Sequence, residues 1–175
     1  LDKKHPAFKY AMAVAEGKAN APKFVKLQVK EFLSIANNKD SRYKIDENKV
    51  RTIGELLKLL IMPKGLKANA TVYDAMAGFQ WLFIIAILCT VERDNPDKRR
   101  YENAILEICR KNGKTFLIAV LFILLFFIEP KFSKFYSVAP DGSLSREIKT
   151  AIEEILSSSP AMLGKMNGKQ KFKIL

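Results

Sequence analysis

Glu107-Ile-Cys-Arg-Lys-Asn-Gly-Lys-Thr115 is the stretch of this 175-residue chain whose residue types and order could do chemistry. Its last three residues, Gly113, Lys114 and Thr115, stand between a short apolar run at 104–109 and a longer one at 116–128. A strand before and a helix after such a triplet is the setting of a phosphate-binding loop. Backbone N–H groups of the loop and the positive end of the helix then converge on phosphate oxygens. Lys114 supplies a mobile charge to the β- and γ-phosphates, and the Thr115 hydroxyl ligates Mg²⁺. Gly113 lets the backbone approach without a Cβ in the way. The stretch departs from GxxxxGK[ST], because Ile108 occupies the place of the first glycine. Ile does not readily take a positive φ, so the first turn of the loop must differ from the common one. A bare GK[ST] is expected by chance in on the order of one chain in ten of this length. The competing reading is therefore an exposed basic turn, and the strand–loop–helix setting favours nucleotide binding over it.

The elements that must hold this loop follow from apolar spacing and breaker residues. Residues 5–18 carry Phe8, Ala11, Met12 and Ala15 at helical spacing, and Gly17 marks the end. Val25, Val29, Phe32, Leu33 and Ala36 form a second amphipathic stripe after Pro22. Asp46 is an N-cap candidate for a third helix that buries Val50, Ile53, Leu57, Leu60 and Ile61 before Pro63 and Gly65. Residues 66–72 read as a loop or a short edge strand, and 73–91 as a fourth, very apolar helix. Beyond the turn signal Asn95-Pro96-Asp97 the grammar changes. Residues 104–109 read as a strand, 116–128 as a helix buried on all sides, and 135–139 as a second strand. Pro140-Asp141-Gly142 is a turn, and Ser143 or Ser145 can cap a helix ending near Leu156. Residues 172–175 begin a third strand. This is the pattern of βαβ units on a parallel sheet. The expected fold is α/β: a P-loop-type parallel sheet, incomplete here, over 73–175, preceded by a helical region over 1–72.

Composition bounds the partners. The formal charge is +12, and residues 1–70 hold 15 Lys/Arg against 7 Asp/Glu. Such a field favours a polyanion, nucleic acid first and an anionic membrane second; the plain alternative is a solvated lysine-rich surface. Cys89 and Cys109 form no CxxC and read as buried thiols, neither disulfide nor metal ligands. The single His5 has no partner for a triad or a metal site. No signal peptide is visible at the start, and the 13 apolar residues of 116–128 fall short of the roughly 20 that a bilayer needs. The opening Leu1 and the closing Ile174-Leu175 read as the ends of a fragment.

Arg110-Lys-Asn-Gly-Lys-Thr115 resembles the degenerate Walker A loop of tailed-phage terminase large subunits, in particular the HK97-like branch, which also lacks the first glycine. Other stretches are similar in order: Tyr10-Ala-Met-Ala-Val-Ala-Glu-Gly17, residues 26–33, residues 59–65, Gln80-Trp81, Phe135-Tyr-Ser-Val-Ala139 and residues 155–163. Gln80-Trp81 carries the family's Trp-Gln in the reverse order, and Cys109 stands where Pro is common. The resemblance implies the N-terminal ATPase part of a DNA-packaging motor that binds ATP and Mg²⁺ in the cytoplasm of an infected or lysogenic bacterium. Lys111, Asn112, Gly113, Lys114 and Thr115 would form the nucleotide cradle, with Thr115 on Mg²⁺. Lys114 and Arg110 would act on the γ-phosphate, and Gln80 would read the adenine edge. Implied partners are double-stranded DNA, a portal protein and a terminase small subunit, with a ring oligomer in the parent and no membrane. The parent would also be an endonuclease.

An ATPase of this kind needs an apolar strand ending in Asp-Glu, and none follows Thr115. Glu153-Glu154 falls within a helix and Asp141 in a turn. The expected fragment thus stops before Walker B and hydrolyses ATP weakly or not at all. Trp81 and Phe83 read as core. The rival reading is a basic helical nucleic-acid-binding module with an incidental Gly-Lys-Thr. A membrane-surface protein stands third, on charge and the apolar helix alone.

Overall fold

Apolar residues recur at helical spacing along most of the chain, and the backbone follows them. The computed structural model describes residues 2–163, with Leu144 and Ser145 described for their backbone only. In chain order the elements are α1 (Pro6–Ala15), α2 (Lys23–Asn37), β1 (Tyr43–Ile45), α3 (Glu47–Leu59), α4 (Val72–Ala75), α5 (Gly78–Cys89), β2 (Thr90–Glu92), α6 (Lys114–Ile128), α7 (Gly142–Ser157) and α8 (Pro160–Leu163). The fold is mixed α/β, mostly helical, with one small antiparallel sheet. Two compact units are present, one from Leu1–Thr52 with Met76–Leu106, the other from Ile53–Ala75 with Glu107–Leu175. The units are interleaved in sequence and do not follow the expected division at 72/73.

In the first unit, α1 starts on Pro6, whose fixed φ suits a first helical residue. His5 caps it: its Nδ1 accepts a hydrogen bond from the Ala7 N–H at 3.2 Å. Gly17, at φ 73°, turns the chain away after the helix. α2 buries Val29, Phe32 and Ile35. α5 is apolar around its whole circumference and buried accordingly, with Trp81, Ile84 and Ile85 at 0% exposure. It packs on α1, where a Cβ at Gly78 would stand 2.7 Å from the Tyr10 Cβ. The expected single helix over 73–91 is therefore corrected. The backbone is extended at Ala77, and Gly78 restarts the helix where only hydrogen fits against Tyr10. At the other end, β-branched Thr90 and Val91 leave the helix and form β2, paired antiparallel with β1 in the register Tyr43↔Glu92, Lys44↔Val91, Ile45↔Thr90.

In the second unit, Leu57, Leu60, Leu117, Val120, Leu124 and Ile155 supply the core. An isolated bridge, Ile61↔Thr71, closes the loop before α4. α6 packs against α7, and Ser159 ties the end of α7 to the loop: its Oγ donates to Ile155 O at 2.6 Å and accepts from Ile61 N–H at 2.8 Å. Asp141 caps α7 by accepting from Ser143 N–H at 2.8 Å, in place of the expected serine cap. A carboxylate at that position reaches the free N–H, whereas the Ser143 hydroxyl itself donates to Asp141.

The parallel sheet is not among the described elements. Residues 104–109 and 135–139 form no strand and no backbone ladder. A strand exists only where its N–H and C=O groups find a neighbour, and here Ile105, 93% exposed, and Val138, 92% exposed, face outward while Leu106 and Ile108 are only half-buried. Phe135 docks with its ring edge-on to Phe126 at 5.1 Å. α6 forms over the expected residues but is not buried on all sides, since Phe126 and Phe127 remain exposed. The expected strand at 172–175 lies outside the described residues.

Candidate nucleotide-binding loop

The Gly-Lys-Thr stretch opens a helix. Gly113 is the N-cap of α6 at φ 76°, ψ 26°, a left-handed conformation that glycine adopts without strain. Lys111 is also left-handed, at φ 65°. Between them Asn112 folds back, its side-chain amide donating to the Cys109 and Arg110 carbonyls at 3.4 and 3.5 Å. Two left-handed residues so close in sequence coil the chain tightly just before the helix.

No side chain caps α6, and its first turn carries no acidic residue. The leading N–H groups are thus left to solvent or an anion, at the positive end of a 15-residue helix. Lys114 is exposed beside them and Thr115 is half-buried. Thr115 also lines a cavity of about 450 Å³, within the size range of small-molecule sites. Its other walls include Lys64, Arg146, Glu147, Thr150 and Glu154, all within the second unit. Lys64 and Glu154 are paired at 2.7 Å. The α7 wall was missed in the sequence. Its signal was the repeat Ser143, Arg146–Glu147, Thr150–Ala151, Glu154–Ile155, one face of an amphipathic helix.

The structure gathers Arg110, Lys111, Asn112, Gly113, Lys114 and Thr115 in one turn at the start of α6. Gln80 belongs to the other unit. It is 7% exposed, and its Oε1 accepts from Ala77 N–H at 2.9 Å, so its amide serves to start α5. Trp81 is core, with the His5 ring edge-on to it at 5.0 Å. The thiols differ from expectation: Cys89 is buried, but Cys109 is exposed at the end of the unpaired 104–109 stretch.

The residues at the loop fit a triphosphate in donor type and charge. For Mg²⁺ they offer the Thr115 hydroxyl, with Glu147 and Glu154 on the same cavity. Among the described residues no three His, Cys, Asp or Glu side chains cluster as a metal site. No described helix is long and apolar enough to cross a membrane. The chain matches no protein-family model, no characterised protein and no solved structure.

Proposed function

We propose that this chain is an ATP-binding part of a DNA-translocating motor of the viral genome-packaging kind. The observation that carries the reading is the left-handed Gly113 opening directly into an uncapped α6, with Lys114 exposed in its first turn and Thr115 lining a cavity of about 450 Å³. The α6 N–H groups and Lys114 would hold the β- and γ-phosphates, and Thr115 would hold Mg²⁺. Arg110, one turn earlier, would face the γ-phosphate, where a planar guanidinium suits phosphoryl charge. ATP supplies the free energy; this chain's residues bind and orient it. Residues 104–109 and 135–139 would then be the strands flanking α6, paired in a parallel sheet with strands of a larger ATPase domain. Double-stranded DNA, a portal protein and a small-subunit partner belong to this reading through the motif resemblance. Gln80 is not carried into it.

Titration of the chain with a fluorescent ATP analogue and Mg²⁺ tests the proposal. Lys114→Ala should weaken binding roughly 10- to 100-fold, the worth of one charge-assisted contact. Equal affinity in wild type and variant would remove the nucleotide role. The missing strand pairing at 104–109 and 135–139 favours the second reading, a basic nucleic-acid-binding module in which Gly-Lys-Thr is only a turn.

A further inference from the structure

We propose that a groove in the first unit, between α2 and β1, binds the phosphodiester backbone of duplex nucleic acid. It deepens the motor reading, on which the choice of duplex rests, by locating a contact within the first unit. The groove has a volume of about 530 Å³; its polar walls are Lys30, Ser34, Ser41, Arg42, Tyr43 and Arg100, with Glu31 its one carboxylate, and Leu27 and Ile35 complete its floor. Three cations and two serine hydroxyls on one concave surface are a donor set that suits phosphate oxygens.

The two arginines are held in place. Arg100 is hydrogen-bonded to the Glu31 carboxylate, and its guanidinium lies 4.1 Å from the centre of the Tyr43 ring. With both contacts made, its Nε remains buried with no hydrogen-bond partner. A buried donor left unmade is costly, and the ring and carboxylate contacts of Arg100 offset that cost. Arg42 sits 5.5 Å from the same ring and bonds Glu92 at 3.0 Å, with its side chain 68% exposed. The loop carrying Ser41 is pinned from behind by Arg93, whose Nε donates to Ser41 O at 2.9 Å.

The occupant extends beyond one phosphate. Lys23, Lys26 and Lys30 are exposed along α2, leading away from the groove. Seven residues of helix cover about 10 Å, the rise of about three nucleotides on one strand of duplex. A membrane surface fits less well. Binding in an interface needs an apolar helix face, and α2 has already committed Val29, Phe32 and Ile35 to the core, leaving only Phe24 and Leu27 outside. The sequence held a signal for this site in Arg42-Tyr43 and Arg99-Arg100-Tyr101, basic residues set against tyrosine twice.

The test is fluorescence anisotropy of the full chain with a labelled duplex across a NaCl series. The double variant Lys30→Ala, Arg42→Ala should bind at least about 10-fold more weakly at 100 mM salt and lower the slope of log K against log salt by about 2. Lys30→Ala alone removes an exposed side chain and should lower the slope by about 1. The charge-keeping pair Lys30→Arg, Arg42→Lys should leave the slope unchanged. Lys3→Ala with Lys9→Ala, which line a different hollow of the same unit, should cost less than twofold. Equal losses from both alanine pairs would reduce the effect to net charge and overturn the site. So would the absence of duplex binding, or binding that depends on Lys30 and Arg42 only with phosphatidylserine vesicles or inorganic phosphate. Measuring both ligands on both variants separates the two proposals: Lys114→Ala should lose the ATP analogue and keep the duplex, and the Lys30→Ala, Arg42→Ala variant should do the reverse.

Discussion

His5 shows how one side chain can link local structure to solution conditions. Burial lowers its pKa from the ordinary 6.5, with the Asp2 charge acting weakly the other way. The neutral ring is the form that accepts the Ala7 N–H and packs edge-on to Trp81. A depressed folded pKa means the unfolded chain binds the proton first as pH falls. The contribution is therefore complete above pH 6.5 and is lost as pH drops through the lowered folded value. The melting temperature of wild type should fall between pH 7.5 and 5.5 by more than that of His5→Asn, which keeps a cap acceptor but cannot titrate. Identical pH dependence in the two would remove the role. At this scale the sequence was legible where a residue acts through its own backbone: Gly113, Gly17 and the Asp46 cap, whose Oδ1 accepts from Asn48 N–H at 2.9 Å, all stand as their types require. It was illegible where burial decides. Gln80 looks like a functional group until its partner, the Ala77 N–H, is seen.

Elements depend on contacts that spacing alone does not reveal. Ser159 is fully buried, and it holds α7 to the Ile61 backbone with one hydroxyl. Ser159→Ala should destabilise the chain by about 1–3 kcal/mol, because the Ile61 N–H is left without its acceptor. Urea unfolding followed by circular dichroism would show this as a lower midpoint at unchanged slope; an unchanged midpoint would mean that water replaces the hydroxyl without cost. The long amphipathic helices α1, α2, α3 and α7 were readable because their apolar stripes run for several turns. β1 and β2, three residues each, were not, since alternation cannot be recognised over so short a span. The converse error lay at 104–109 and 135–139. Their composition is that of strands, but strand formation is settled by a neighbouring backbone, and within the described residues none is offered.

Across the whole molecule, the two thiols report on packing. Burial pushes the Cys89 thiol up to about 12, while Cys109 is exposed. A thiol-specific chromogenic reagent should titrate one group rapidly in the native chain and the second only as the first unit opens, at a rate that rises with urea. Two rapid groups would contradict the buried position of Cys89. The basic character of the molecule was plain from composition, with a formal charge of +12. What composition could not show was which cations share a surface: Lys30, Arg42 and Arg100 lie far apart in sequence and meet only through the pairing of β1 with β2 and the packing of β1 on α2.

The interleaving of the two units also has a consequence for biosynthesis. When residues 1–75 have been made, each unit has received only its opening instalment. The strand at Tyr43–Ile45 must wait for Thr90–Glu92 to emerge before it can pair, and the stretch 53–75 must wait for α6 and α7. Apolar helices are thus held open on the ribosome for much of translation, a condition in which early chaperone engagement is favoured and stalled products are prone to aggregate.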